Sequence, residues 1–116
     1  MPYKVHVSKN SVAPGDEVEI TISGKSFKGF LMQVRNAEEK SVGQFQIKDD
    51  DKYAKATNCF GTPRSGATHK NSAEKKDFTL KWKAPSKPGK YIVYVTVAQD
   101  GGTFWVRKPT EVIVVE

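Results

Sequence analysis

Few residues of this chain could do covalent chemistry. Cys59 is the one thiol, and His6 and His69 are the two imidazoles, among 116 residues. A cysteine nucleophile needs a base, usually histidine, within hydrogen-bond reach, and a third group to orient that base. A Cys–His pair is therefore arithmetically available. The flanks of Cys59, Thr57-Asn58-Cys59-Phe60-Gly61, carry no sign of an activated thiolate such as a helix N-terminus. A loop cysteine meant for a disulfide is the plainer reading. One cysteine and two distant histidines do not make zinc spacing. Asp49-Asp50-Asp51 could offer carboxylates to calcium, but the EF-hand glycine and terminal glutamate are missing, and a solvated acidic turn is the plainer reading. No GxGxxG or Walker loop occurs. The chain is expected not to be an enzyme, and to use no cofactor and no metal.

Binding chemistry has more material. Lys plus Arg number 19 against 13 Asp plus Glu, a net charge of +6. Such a surface attracts lipid headgroups, sulfated glycans, bacterial envelope polymers or nucleic acid, although a merely soluble Lys-rich surface has the same charge. Lys81 and Lys83 share the polar face of one segment, opposite Leu80 and Trp82. Such a row could track a polyanion or keep an exposed sheet face soluble. Trp105 follows Phe104 near Gly101-Gly102, and strict alternation turns only one of these two rings inward. The other is either an exposed binding contact or packs under a loop. Tyr53, Arg107 and Lys108 complete the candidate ligand contacts, with Lys75 and Lys76 among the further basic residues. Nucleic acid is not expected as a partner: no RNP-like motif occurs, and the aromatics sit mostly on inward positions.

The elements that must position these groups follow a period of two. Tyr3, Val5 and Val7 alternate with Lys4, His6 and Ser8; Val18, Ile20 and Ile22 with Glu17, Glu19 and Thr21; Phe78, Leu80 and Trp82 with Thr79, Lys81 and Lys83. Phe30, Met32 and Val34 form another inward face, with Gln33 and Arg35 opposite. Each reads as a strand with one buried and one wet face. Tyr91 to Val97 is apolar on both faces and reads as a central strand. Thr103–Val106 and Glu111–Val115 read as a last strand with a bulge or break at Pro109. Ala13-Pro14-Gly15-Asp16 and Ser86-Lys87-Pro88-Gly89 are tight turns, and Asp100-Gly101-Gly102 suits a hairpin. No window has a 3.6-residue apolar period, and residues 71–77 form a short helical turn at most. Residues 48–76 read as a long irregular segment, the kind of loop that is functional or pinned by a crosslink.

The whole is expected to be all-β, an immunoglobulin-like antiparallel β-sandwich of about seven to nine strands. Residues 1–116 fit one domain. No apolar run approaches the roughly 20 residues that span a bilayer. Met1-Pro2-Tyr3-Lys4 is not followed by a signal-peptide h-region, so the chain reads as cytosolic or as a form without its signal.

The residues also resemble a known family. Ser26-Phe27-Lys28-Gly29-Phe30-Leu31-Met32-Gln33-Val34-Arg35 resembles the FKGFLLQAR signature of Reeler (reelin N-terminal) domains. Val42-Gly43-Gln44-Phe45 is similar to the next block of that family. Cys59, Ala67-Thr68-His69 and Lys75-Lys76 match its Cys…TH…KK region, and Leu80-Lys81-Trp82-Lys83-Ala84-Pro85 its W-x-AP strand and turn. The likeness runs from about Tyr3 to Val115, and is strongest to secreted insect defence proteins. It implies a single Reeler domain with an immunoglobulin-like sandwich, secreted, with an antimicrobial role in innate immunity. The implied partners are microbial envelope polymers such as lipopolysaccharide or lipoteichoic acid, and a haemocyte surface whose aggregation it promotes. Other members imply an alternative, an extracellular-matrix or adhesion module binding sulfated glycans or a protein. The resemblance further implies that Cys59 pairs with a cysteine upstream of the first strand. This chain begins past that point, so it reads as lacking the family's N-terminal extension or as a variant with a free thiol. Phe27, Phe30, Met32, Val34, Phe45 and Trp82 are expected to pack, Gly29 and Gly43 to permit a close backbone approach or a bulge, and His69 to brace the segment beside Cys59 by a hydrogen bond.

Overall fold

The computed structural model describes residues 3–38, 40–47, 53–59, 62–70, 75–100 and 103–116, with the side chains at 58, 59, 62, 63, 100, 103, 104 and 106–108 outside that description. The alternating segments form ten strands: β1 (Tyr3–Val7), β2 (Ser11–Val12), β3 (Glu17–Gly24), β4 (Gly29–Arg35), β5 (Gln44–Gln46), β6 (Ala54–Cys59), β7 (Thr62–His69), β8 (Phe78–Lys83), β9 (Gly89–Asp100) and β10 (Thr103–Val115). There is no helix among the described residues. One sheet has the order β1-β3-β8-β5 and the other β2-β10-β9-β4-β7-β6. This is the expected all-β sandwich, with ten strands in place of seven to nine.

The N-terminal segment serves both sheets. β1 runs antiparallel to β3, whereas β2 lies parallel to β10. The crossing is pinned at Ser8, whose N–H donates to Glu19 O and whose Oγ accepts from Glu19 N–H, both at 2.9 Å. The preceding turn signals are equally literal. Asp16 N–H donates to Ala13 O at 3.1 Å, Asp16 Oδ2 accepts from Ala13 N–H at 3.0 Å, and Gly15 takes a φ of 83°. That left-handed residue at the third position is what a type II turn requires.

Between the sheets lies one core. Val18, Ile20 and Ile22 from β3, Phe45 from β5 and Trp82 from β8 face Met32 and Val34 from β4, Val93, Val95 and Val97 from β9, and Ile113 from β10, all fully buried. Each is a large apolar side chain withdrawn from water, worth about 1.5–3 kcal/mol. Trp82 also satisfies its indole N–H, which donates to Val42 O at 3.1 Å.

Three sequence expectations are corrected. Residues 48–76 are not a structureless loop, because Ala54–Cys59 and Thr62–His69 pair as an antiparallel hairpin at the edge of the larger sheet. Its inward positions, Ala54 and Ala67, are fully buried but too small to give an apolar alternation. Of the expected helical turn at 71–77, residues 71–74 lie outside the described residues, and Lys75 instead forms a β-bridge with Phe27. Gln33 and Arg35 point outward, yet that part of the face is not wet. They are 9% and 7% exposed. The Arg35 guanidinium donates to Gln33 Oε1 at 3.0 and 2.7 Å and lies 4.8 Å from the centre of the Tyr94 ring. β10 runs through Pro109 as one strand, with register shifts on both sides of it, the bulge form of the expected interruption. Asp49-Asp50-Asp51 lies outside the described residues.

Candidate functional site

One end of the sandwich is built from rings. Phe27, 1% exposed, is their hub. It meets Tyr3, Phe30 and Phe78 edge-on, at centroid separations of 5.8, 6.1 and 6.4 Å. Phe30 and Phe78 touch at 5.4 Å, and Trp105 joins through an edge contact with Tyr3 at 5.5 Å. Edge-to-face geometry of this kind adds about 0.5–1.5 kcal/mol per pair beyond burial.

The Phe27-Lys28-Gly29-Phe30 run assembles what surrounds this cluster. The Phe27 backbone bonds in both directions with Lys75, N–H to O at 2.9 Å and O from N–H at 2.7 Å. The Lys28 carbonyl accepts the Lys75 ammonium at 2.9 Å. Gly29 seats the His69 ring: a Cβ at position 29 would stand 2.9 Å from His69 Cε1. Phe30 N–H donates to His69 Nδ1 at 3.1 Å. The proton of a neutral ring then lies on Nε2. Phe30 O accepts from the Thr68 hydroxyl at 2.9 Å. His69 thus braces β4 against β7.

Lys75 is the least expected residue of the site. It is 4% exposed. Burial holds its ammonium below the ordinary lysine range. Its Nζ lies 6.0 Å from the centre of the Tyr53 ring. Tyr53, Lys75, Lys76 and Phe78 line an open cleft of about 220 Å³. Tyr53 is 43% exposed, Phe78 is half-buried on the ring cluster, and Lys76 is exposed. The cleft therefore pairs apolar ring surface with two cations. Among the described residues its lining includes no carboxylate.

The other sequence candidates are dispersed. Lys81 and Lys83 project from the outer face of the smaller sheet, where the register sets Glu19 and Glu17 directly opposite them, and Gln46 and Gln44 on the other side. Carboxylates at cross-strand distance offset much of the positive potential of that row. Trp105 is half-buried against Tyr3, at the ring-lined end. Arg107 and Lys108 belong to β10, and Cys59 ends β6, with their side chains outside the described residues.

The cysteine and histidines are not brought together. Ala54 pairs with His69 and Cys59 with Thr62, so Cys59 and His69 sit at opposite ends of the hairpin. Five residues of strand separate these positions by ~17 Å. His6 lies on β1, beside β10, whereas Cys59 lies on β6, four strands beyond β10, a separation of ~19 Å at ordinary strand spacing. His69 accordingly braces Phe30 at the far end of the hairpin from Cys59, rather than the segment beside it. No group of three or more His, Cys, Asp or Glu residues placed to hold a metal occurs among the described residues. Nor is any helix there long and apolar enough to cross a membrane.

Residues 1–116 match the family model of the Reeler domain. The chain belongs to the Reeler domain family. It is 34% identical over 119 residues to a protein named "Putative defense protein 3" from Antheraea mylitta, covering 98% of this chain and 71% of that protein. It is 31% identical over 115 residues to ferric-chelate reductase 1 of Homo sapiens, covering 96% of this chain and 19% of that protein. This Reeler domain thus spans about a fifth of the length of the reductase. Its fold matches the crystal structure of the reelin-N domain of F-spondin with a TM-score of 0.80 at 18% identity, over 100% of this chain and 87% of the other.

In this Reeler domain, the Phe27-Lys28-Gly29-Phe30 signature, the Thr68-His69 pair and Lys75 are one structural unit. Sequence reading caught the packing and glycine roles, and placed Lys75 among the basic residues and in the family's KK match without assigning it a contact. The Lys75-Lys76 match to the family's KK region was the available signal. Nothing in that match reveals that the Lys28 carbonyl is its acceptor.

Proposed function

We propose that this Reeler domain is a secreted, non-enzymatic defence module that binds anionic polymers of microbial envelopes, such as lipopolysaccharide or lipoteichoic acid, and through them promotes haemocyte aggregation. Membership of a family whose relatives include a protein named for defence supports this reading, as does the net charge of +6. The observation that carries it is the cleft lined by Tyr53, Phe78, Lys75 and Lys76, with the Lys75 ammonium 6.0 Å from the centre of the Tyr53 ring. Cations beside ring faces suit polymers in which sugars alternate with anionic groups. Trp105, at the same end, extends the ring surface; Lys81, Lys83, Arg107 and Lys108 add longer-range attraction.

The test is retention of the purified domain on immobilised lipopolysaccharide, lipoteichoic acid, β-glucan and heparin at low and high salt. Salt-sensitive retention on the two microbial anionic polymers is expected, because exposed charges farther apart than about 10 Å are screened at 0.1 M salt. Retention on heparin alone would replace this reading with a matrix or adhesion role. Retention on none of the four would reject polymer binding in favour of a protein partner.

A further inference from the structure

We propose that the Tyr53–Lys75–Lys76–Phe78 cleft is an end-on site for one acidic sugar ring, a pyranose unit carrying a single phosphate, sulfate or carboxylate group. This rests on the reading of the domain as a binder of anionic glycopolymers, and adds the place and the unit recognised.

Size sets the unit. At about 220 Å³ the cleft falls below the roughly 300–1,000 Å³ of pockets that enclose drug-sized ligands. One ring fills such a space, and the rest of a polymer lies outside its open mouth. The wall sets the chemistry. Tyr53 offers an exposed ring and Phe78 an apolar flank anchored on Phe27 and Phe30. Flat apolar surface of this kind receives the C–H face of a pyranose. Lys75 and Lys76 supply two positive charges, and the exposed Asp77 between Lys76 and Phe78 is not part of the wall.

Preorganisation distinguishes this cluster from the other surface lysines. Lys75 is held through two backbone hydrogen bonds to Phe27 and through its own ammonium on Lys28 O. A cation fixed before the ligand arrives loses little side-chain entropy on binding. Lys76, exposed, is the adaptable partner that closes on the anion. The Lys81/Lys83 row has neither property, being flanked by Glu19 and Glu17 and, among the described residues, backed by no cleft-lining ring.

The experiment is an amide chemical-shift titration of the whole domain with glucose 6-phosphate, glucose 6-sulfate, glucuronate, glucose and inorganic phosphate. The acidic sugars are expected to shift the amides of Tyr53, Lys76 and Phe78, with affinities at least tenfold above those of glucose and of inorganic phosphate. Tyr53→Ala and Lys76→Ala should each weaken acidic-sugar binding fivefold or more, and Lys87→Ala/Lys90→Ala, at exposed positions outside the cleft, should leave it unchanged. Both cleft substitutions are at exposed positions, so the test does not depend on a Lys75 variant folding. Preference for the phosphate would point to phosphorylated microbial sugars, and preference for the sulfate to sulfated matrix glycans; either supports the site. Equal binding of glucose or of phosphate alone, shifts confined to another surface, or unaltered binding by Tyr53→Ala and Lys76→Ala would overturn it. Polymer retention that survives both cleft substitutions would remove the site and leave the polymer reading standing. A wild-type domain that shifts with acidic sugars yet is retained on no polymer would remove the polymer reading alone.

Discussion

Gly43 lies against the face of the Trp82 indole so closely that a Cβ at position 43 would come within 2.5 Å of Cε2, Cζ2 and Nε1. The same glycine takes a φ of 72°, and its neighbour Val42 accepts the indole N–H. Backbone strain and overlap with a fully buried ring therefore act together. Gly43→Ala is expected to cost about 2–4 kcal/mol. Gly15→Ala is the control: its φ is 83°, but nothing lies within 4 Å of the added methyl, so about 1 kcal/mol is expected. Urea unfolding of the two variants measures the difference, and equal losses would mean that the indole yields to the methyl.

Gly29 and His69 form the second such pair. His69→Ala removes the acceptor for Phe30 N–H, an expected loss of about 1 kcal/mol. Hydrogen exchange across the β6–β7 hairpin should quicken. Gly29→Ala drives a methyl to 2.9 Å from His69 Cε1, and removing the imidazole makes room for it. The double variant should thus be more stable than the sum of the singles, by at least about 0.5 kcal/mol. Strict additivity would show that the ring rotates away without penalty.

Lys75 and Tyr91 give stability opposite slopes at alkaline pH. Burial lowers the Lys75 pKa from 10.5 in the folded state. Between the lowered value and 10.5 the unfolded chain binds more protons, so stability rises with pH; the penalty is fully present below that window. Burial raises the Tyr91 pKa from 10.0, and its hydroxyl donates to Lys87 O. From 10.0 up to the raised value the unfolded chain loses its proton first, so stability falls. Lys75→Met should abolish the rise and Tyr91→Phe the fall. Denaturant midpoints measured from pH 8 to 11 test both signs.

Ser41 is fully buried, and its hydroxyl has no hydrogen-bond partner among the described residues. Removing it leaves no other group newly unsatisfied. Ser41→Ala is expected to be neutral or stabilising by up to about 1 kcal/mol. A loss above that in thermal or urea unfolding would mean that the hydroxyl is satisfied in solution.

Glu17 and Glu19 sit opposite Lys83 and Lys81. If this face assists polymer binding, Glu17→Gln/Glu19→Gln should move elution from lipoteichoic acid to higher salt, because two compensating charges are gone. Unchanged elution would assign the attraction to other faces.

Strand alternation in β1, β3, β4 and β8 was legible because Val, Ile, Phe, Leu and Trp mark one face unmistakably. The β6–β7 hairpin was not, since Ala54, Ala67 and Ser65 occupy its buried positions and carry almost no hydropathy contrast. Arg35 misled for the converse reason. Its charge places it in water by pattern, but Tyr94 and Gln33 cover it from the neighbouring strand and from its own.

The sequence by itself determined the β class, the tight turn at Pro14-Gly15, the packing residues and the two glycines of the signature. These depend on local period and backbone freedom, which a single chain displays. Tertiary structure alone decided which lysines share a cleft with aromatic rings and which lie opposite carboxylates. Lys75 and Lys76 meet Tyr53 because the hairpin returns beside the Phe27 bridge, whereas Lys81 and Lys83 meet glutamates because β3 is their neighbour in the sheet. Charge acts through space, and strand order sets that space.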